Sequence, residues 1–83
     1  MFKLTRLNDG LINFGDRVKW IEYKEDGNLI YDTPEIGRGC ILYYSPFKYW
    51  QTTIIKSFSL ENNDVTMFTT QNSNYKLEQY EDK

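Results

Sequence analysis

The chain has no histidine and no alanine, one cysteine, two prolines and five glycines among its 83 residues. Each shortage excludes something. Without histidine, general acid–base chemistry would fall to a carboxylate, lysine or tyrosine with a displaced pKa. The acids sit mostly in turn positions (Asp9, Asp16, Asp26, Asp32, Glu61, Asp64), where they stabilise turns and stay solvated. Four serines, Ser45, Ser57, Ser59 and Ser73, have no histidine base to activate them. A single thiol, Cys40, closes no internal disulfide, which fits a reducing compartment. Next to Ile41 in an apolar run it reads as a buried, inert group. Metal binding reduces to oxygen ligands for a hard cation. The run Glu25-Asp26-Gly27-Asn28 is too short for a calcium loop and reads as a hairpin turn. No catalytic residue, metal ligand or cofactor is assigned, and a non-enzymatic protein is expected.

Other absences bear on compartment and partners. No stretch approaches the roughly 20 apolar residues of a membrane helix. The start, Met1-Phe2-Lys3-Leu4-Thr5-Arg6, lacks the apolar core of a signal peptide. A soluble, cytoplasmic protein without a membrane partner is therefore expected. The net charge of −2 is too acidic for a strongly basic phosphate binder and too mild for an acidic DNA mimic. Missing alanine, with abundant Asn, Ile, Lys, Tyr and Phe, points to AT-rich codons. That suits a bacteriophage or mobile element, acting in the host cytoplasm, with a low-GC bacterial host gene as the alternative.

What is abundant is aromatic and β-branched area. Aromatic residues make up 17%, including seven tyrosines and two tryptophans. At this length only about 60–65% of the unfolded surface is buried, so large rings are what a thin core needs. One domain over residues 1–78 is expected, followed by a frayed acidic tail over 79–83. The segments Phe2 to Leu7, Arg17 to Tyr23, Leu29 to Tyr31, Cys40 to Tyr44, Trp50 to Leu60, Val65 to Thr70 and Tyr75 to Leu77 read as short strands between turn signals. Leu11-Ile12-Asn13-Phe14 reads as a connection, and Ser45-Pro46-Phe47-Lys48-Tyr49 as a loop, because proline lacks a ladder donor.

Phe14-Gly15-Asp16-Arg17-Val18-Lys19-Trp20, followed by Gly37-Arg38-Gly39-Cys40-Ile41, resembles the early strands of SH3-like small barrels. In such folds glycines let strongly bent strands change direction without a Cβ clash. The match spans about a third of the chain, and it lacks the acidic loop and paired tryptophans of true SH3 domains. It implies shape, not function. The fold class expected is all-β, a small SH3-like barrel or strongly bent antiparallel sheet of five to six strands with little or no helix.

Function is expected to lie in binding. The cluster from Tyr43 to Trp50 places Tyr44, Phe47, Lys48, Tyr49 and Trp50 in or beside a loop, where rings can stack on a base or anchor a protein partner. The alternative is that Phe47 and Trp50 plug the end of the barrel. Arg38, between two glycines, offers a bidentate anion contact, and Asn72 and Ser73 offer hydrogen bonds from the last turn. The partner expected is a host protein, inhibited by occlusion, or a small nucleotide signal. A nucleic-acid regulator using Arg17, Lys19, Lys48 and Lys56 with Trp20 or Trp50 is the second reading, and a phage structural or assembly protein the third. Exposed edge strands on a thin core also admit a homodimer.

Overall fold

Most strands form where apolar and polar residues alternate between turns, and among the described residues no helix interrupts them. A computed structural model describes residues 1–80. Eight strands follow in chain order: β1 Phe2–Arg6, β2 Leu11–Gly15, β3 Arg17–Glu22, β4 Leu29–Tyr31, β5 Arg38–Ser45, β6 Lys48–Asn62, β7 Val65–Thr70 and β8 Asn74–Gln79. They make one antiparallel sheet in the order β2-β1-β8-β7-β6-β5-β3-β4. The all-β expectation holds, with eight strands instead of five to six.

One strand is absent from the seven segments expected, and it has a local cause. Leu11-Ile12-Asn13-Phe14, expected as a connection, pairs with β1 because the Asn8-Asp9-Gly10 turn reverses the chain tightly. The Arg6 guanidinium donates two hydrogen bonds to the Asp9 carboxylate, at 3.0 and 2.6 Å, and Asp9 Oδ1 accepts the Leu11 N–H at 3.1 Å. The arginine contact, helped by that amide, holds the Asp9 carboxyl down to about 2. β2 ends at Gly15-Asp16, where the chain bends into β3, the strand expected at Arg17 to Tyr23. The tail also differs from expectation. Gln79 pairs with Phe2 in the β1–β8 ladder, and the Tyr80 N–H donates to the Met1 carbonyl at 2.8 Å. The rest of the expected frayed tail, 81–83, lies outside the described residues.

β6 shapes the whole body. Fifteen residues of straight strand would span about 46–50 Å, longer than the 41 Å longest extent of the protein, so β6 must bend. It bends through register shifts against both neighbours, near Thr52-Thr53 opposite β5 and near Lys56 opposite β7. Each bulge adds a residue and breaks the two-residue rhythm. Thr52, Ile55 and Phe58 therefore turn inward at intervals of three, while Ile54 and Lys56 face out. At the first bulge the Thr52 hydroxyl replaces the lost ladder partner. Thr52 Oγ1 accepts the buried Cys40 N–H at 3.0 Å and donates to the Thr53 carbonyl at 2.8 Å.

The interior is built around Trp20, Phe68 and Tyr75, with Leu4, Cys40, Leu42, Ile55 and Leu77 filling between them. Trp20 meets Phe68 edge-on at 5.6 Å, and Phe68 stacks on Tyr75 at 5.0 Å. The curled sheet closes on itself at one corner. The Asp16 N–H donates to the Tyr43 carbonyl at 2.8 Å, bringing β2 against β5. A Cβ on Gly15 would lie 2.4 Å from that carbonyl oxygen and 2.7 Å from Leu42 Cδ1, so only glycine fits.

Two stability predictions follow from the bulge and the corner. Gly15→Ala should destabilise by about 1–3 kcal/mol through overpacking at the closure, read as a lower urea midpoint. Thr52→Val should cost about 1–3 kcal/mol by stranding the Cys40 amide, whereas exposed Thr53→Val should stay within about 0.5 kcal/mol.

Candidate functional site

The aromatic cluster lies on the β5–β6 hairpin. Strand pairing runs further than the proline suggested. Ser45 pairs with Lys48, so the expected five-residue loop shrinks to a two-residue turn at Pro46-Phe47. Ser45 Oγ accepts the Phe47 N–H at 3.4 Å, and Pro46 needs no ladder donor at that point. Phe47 stands at the tip with 93% of its surface exposed.

Pairing then sorts the remaining rings by face. Leu42 opposes Trp50, and both point inward; Trp50 packs against the core and meets Tyr75 at 5.9 Å. Tyr43 opposes Tyr49 on the outer face, with ring centroids 5.7 Å apart. The Arg17 guanidinium from β3 covers Tyr43 at 4.3 Å. The register shift between Tyr43 and Ser45 leaves Tyr44 as an extra residue, turned to the surface. The result is a row running Arg17, Tyr43, Tyr49, next to a convex tip carrying Phe47 and Lys48. Beside that row an open groove of about 350 Å³ is lined by Asp16, Arg17, Tyr43, Ser45 and Pro46.

Of the residues singled out from sequence, Tyr44, Phe47, Lys48 and Tyr49 come together at the surface of this hairpin, while Trp50 sits at its inner side. Arg38 does not join them. It begins β5, seven residues from Ser45, about 23 Å along a strand. Its guanidinium lies 3.5 Å over the Tyr31 ring and donates to the Thr33 carbonyl at 2.8 Å. The neighbouring amides are also engaged: Gly37 N–H with the Ile55 carbonyl and Arg38 N–H with the Glu35 carbonyl. That segment ties strands together and presents no amide nest for an anion. Asn72 and Ser73 flank the middle of β6, because Thr70 pairs with Ile55. The Ser73 carbonyl accepts the Thr70 N–H at 2.9 Å, and Asn72 is exposed.

Sequence reasoning undervalued Tyr43 and Asp16. The signal for Tyr43 was its adjacency to Leu42: if Leu42 faces in, Tyr43 faces out, in line with Arg17 on the neighbouring strand. Among the described residues no three His, Cys, Asp or Glu side chains gather as metal ligands. No helix there is long and apolar enough to cross a membrane. A second open depression, of about 370 Å³, lies over β6, β7 and β8, with Phe58, Met67, Phe68 and Tyr75 lining it beside Ser57, Ser59, Thr69 and Asn74. Comparison with family models, curated proteins and solved structures finds no match.

Cys40 is fully buried, and burial raises its thiol pKa well above the ordinary value. It should resist an excess of a thiol reagent in native buffer and react fully only in denaturant. Stoichiometric labelling of the folded protein would contradict the closed core.

Proposed function

We propose that the protein is a non-catalytic binding module that inserts the β5–β6 hairpin tip into an apolar pocket of a partner protein. The observation carrying this reading is Phe47, 93% exposed at a convex apex. A phenylalanine that could gain about 1.5–3 kcal/mol on burial contributes almost none of it to this fold. The apex projects from a two-residue turn whose strands are held by the Tyr43–Tyr49 pair outside and the Leu42–Trp50 pair inside. Its geometry is therefore fixed before binding, which lowers the ordering cost of association. Tyr44 and Tyr49 flank the anchor with amphipathic rings of the kind enriched at interface centres, and Lys48 adds a charge of the kind found at the rim. A protruding ring calls for a concave partner, which favours a protein over a small molecule.

The AT-rich composition supports placing the module in a phage or mobile element, where it would act by occluding a surface of a host protein. A small nucleotide is the second reading, supported by the groove at Arg17 and Tyr43, where a guanidinium and a ring stand together. Asp16 in the same lining opposes a phosphate there.

Partner capture from host cells separates these readings. Phe47→Ala should leave the urea midpoint unchanged and weaken capture by about 30-fold or more, as loss of an interface anchor does. Trp50→Ala should instead lower stability by about 3 kcal/mol. Capture should change little between low and moderate salt, whereas nucleic-acid binding would fall steeply. Equal capture by wild type and Phe47→Ala refutes the proposal.

A further inference from the structure

The sheet has two free edges, β2 and β4, and they differ in kind. β4 is three residues long. β2 is five residues long, Leu11-Ile12-Asn13-Phe14-Gly15, with no lysine, no proline and no charge within it. Those are the devices that normally blunt an exposed edge. Ile12 and Phe14 are 44% and 53% exposed, and both lie on the outer face, opposite Thr5 and Lys3 of β1. The strand is also held in place. Gly15 packs on Leu42, Asp16 bonds Tyr43, and the Arg6–Asp9 pair pins its start.

We propose that the β2 edge is a homodimer interface, in which a second copy of this chain pairs its β2 antiparallel across a two-fold axis through Asn13. The register follows from the sequence. With Asn13 opposite its own copy, residues equidistant from it face each other, and the full strand is covered. Ile12 then opposes Phe14 of the second copy, and Phe14 opposes Ile12, so four exposed apolar side chains become two cross-strand pairs on one face. Asp9 and Arg17 lie beyond the ends of β2, in the preceding turn and in β3, and stay engaged with Arg6 and Tyr43 of their own chain. The other free edge, β4, spans only Leu29–Tyr31, with Glu25 and Glu35 outside it in the flanking turns. Self-pairing there would gain a ladder of three residues, against five at β2. The hairpin tip with Phe47 takes no part in this pairing, so the dimer and the proposed partner docking fail or succeed separately.

Sedimentation equilibrium of the wild-type chain, from about 1 to about 200 µM, should show reversible dimer formation. Phe14→Lys should weaken it by about 30-fold or more, as for a buried aromatic anchor, while Phe47→Ala leaves it unchanged. Register is tested with cysteines. Mixed Ile12→Cys and Phe14→Cys chains should form a disulfide-linked dimer under mild oxidation, and each alone should cross-link at least tenfold more slowly. Directly opposite residues lie within disulfide reach, and a two-residue offset does not. Cys40, fully buried, stays out of the reaction. A monomer throughout the concentration range overturns the proposal. So does a dimer indifferent to Phe14→Lys, or one in which Ile12→Cys cross-links to itself as fast as in the mixture. Should Phe14→Lys fail to fold by circular dichroism, the cysteine mixture decides.

Discussion

The constraint that organises this protein is that one strand must serve both halves of a small curled sheet. β6 pairs with β5 along its first half and with β7 along its second. A regular strand of that length would project beyond the body and leave its far side chains without a core. The bulges near Thr52-Thr53 and Lys56 resolve this by bending the strand and resetting which residues point in. Thr52, Ile55 and Phe58 share the interior only because extra residues intervene between them. The polar cost is met locally: the Thr52 hydroxyl takes the Cys40 amide that the bulge would otherwise leave alone in the core. Bending at β6 is matched at Gly15-Asp16, where the opposite wall turns over Leu42 with no room for a Cβ.

Curling also divides the aromatic residues between two tasks. Trp20, Phe68, Tyr75 and Trp50 form an interior in which edge-on and stacked contacts alternate. A chain without alanine fills a thin core largely through such large rings. Tyr43, Tyr49 and Phe47 fall on the other side of the same hairpin. Pairing parity puts Tyr43 and Tyr49 at the surface, and the turn position does so for Phe47; weaker hydrophobicity does not. Phe47 is as apolar as Phe68, yet one is almost fully solvated and the other almost fully enclosed. A folded chain that leaves such a ring at an apex has area available for a partner. The uncharged β2 edge offers a second, distinct opportunity through backbone pairing.

Much of the strand layout was legible in the sequence, because alternation and turn chemistry act over a few residues. The Asp26-Gly27 and Asn62-Asn63 turns, and the inward Val18 and Trp20, needed no tertiary information. β2 was missed because its apolar residues do not alternate with polar ones; both of its faces are half covered. A proline in the run points to an end of pairing at Ser45, yet Pro46 sits in the turn, where no donor is required, and the ladder runs on to Ser45 and Lys48. Within the candidate site, the cluster of rings was visible as a run. Its sorting into Trp50 inward and Tyr43 with Tyr49 outward depended on the register with Leu42. Arg38 looked free between two glycines, but the sheet had already used it to brace Tyr31 and Thr33.

By itself, then, the sequence determined an all-β body with aromatic mass at its centre and in one hairpin, since residue type and spacing set strand preference. Tertiary structure decided which rings are enclosed, which edge is left open and which charges are spent internally. Those outcomes depend on bulges, on cross-strand register and on the closure at Gly15. Each couples residues far apart in the chain, and no local pattern encodes them.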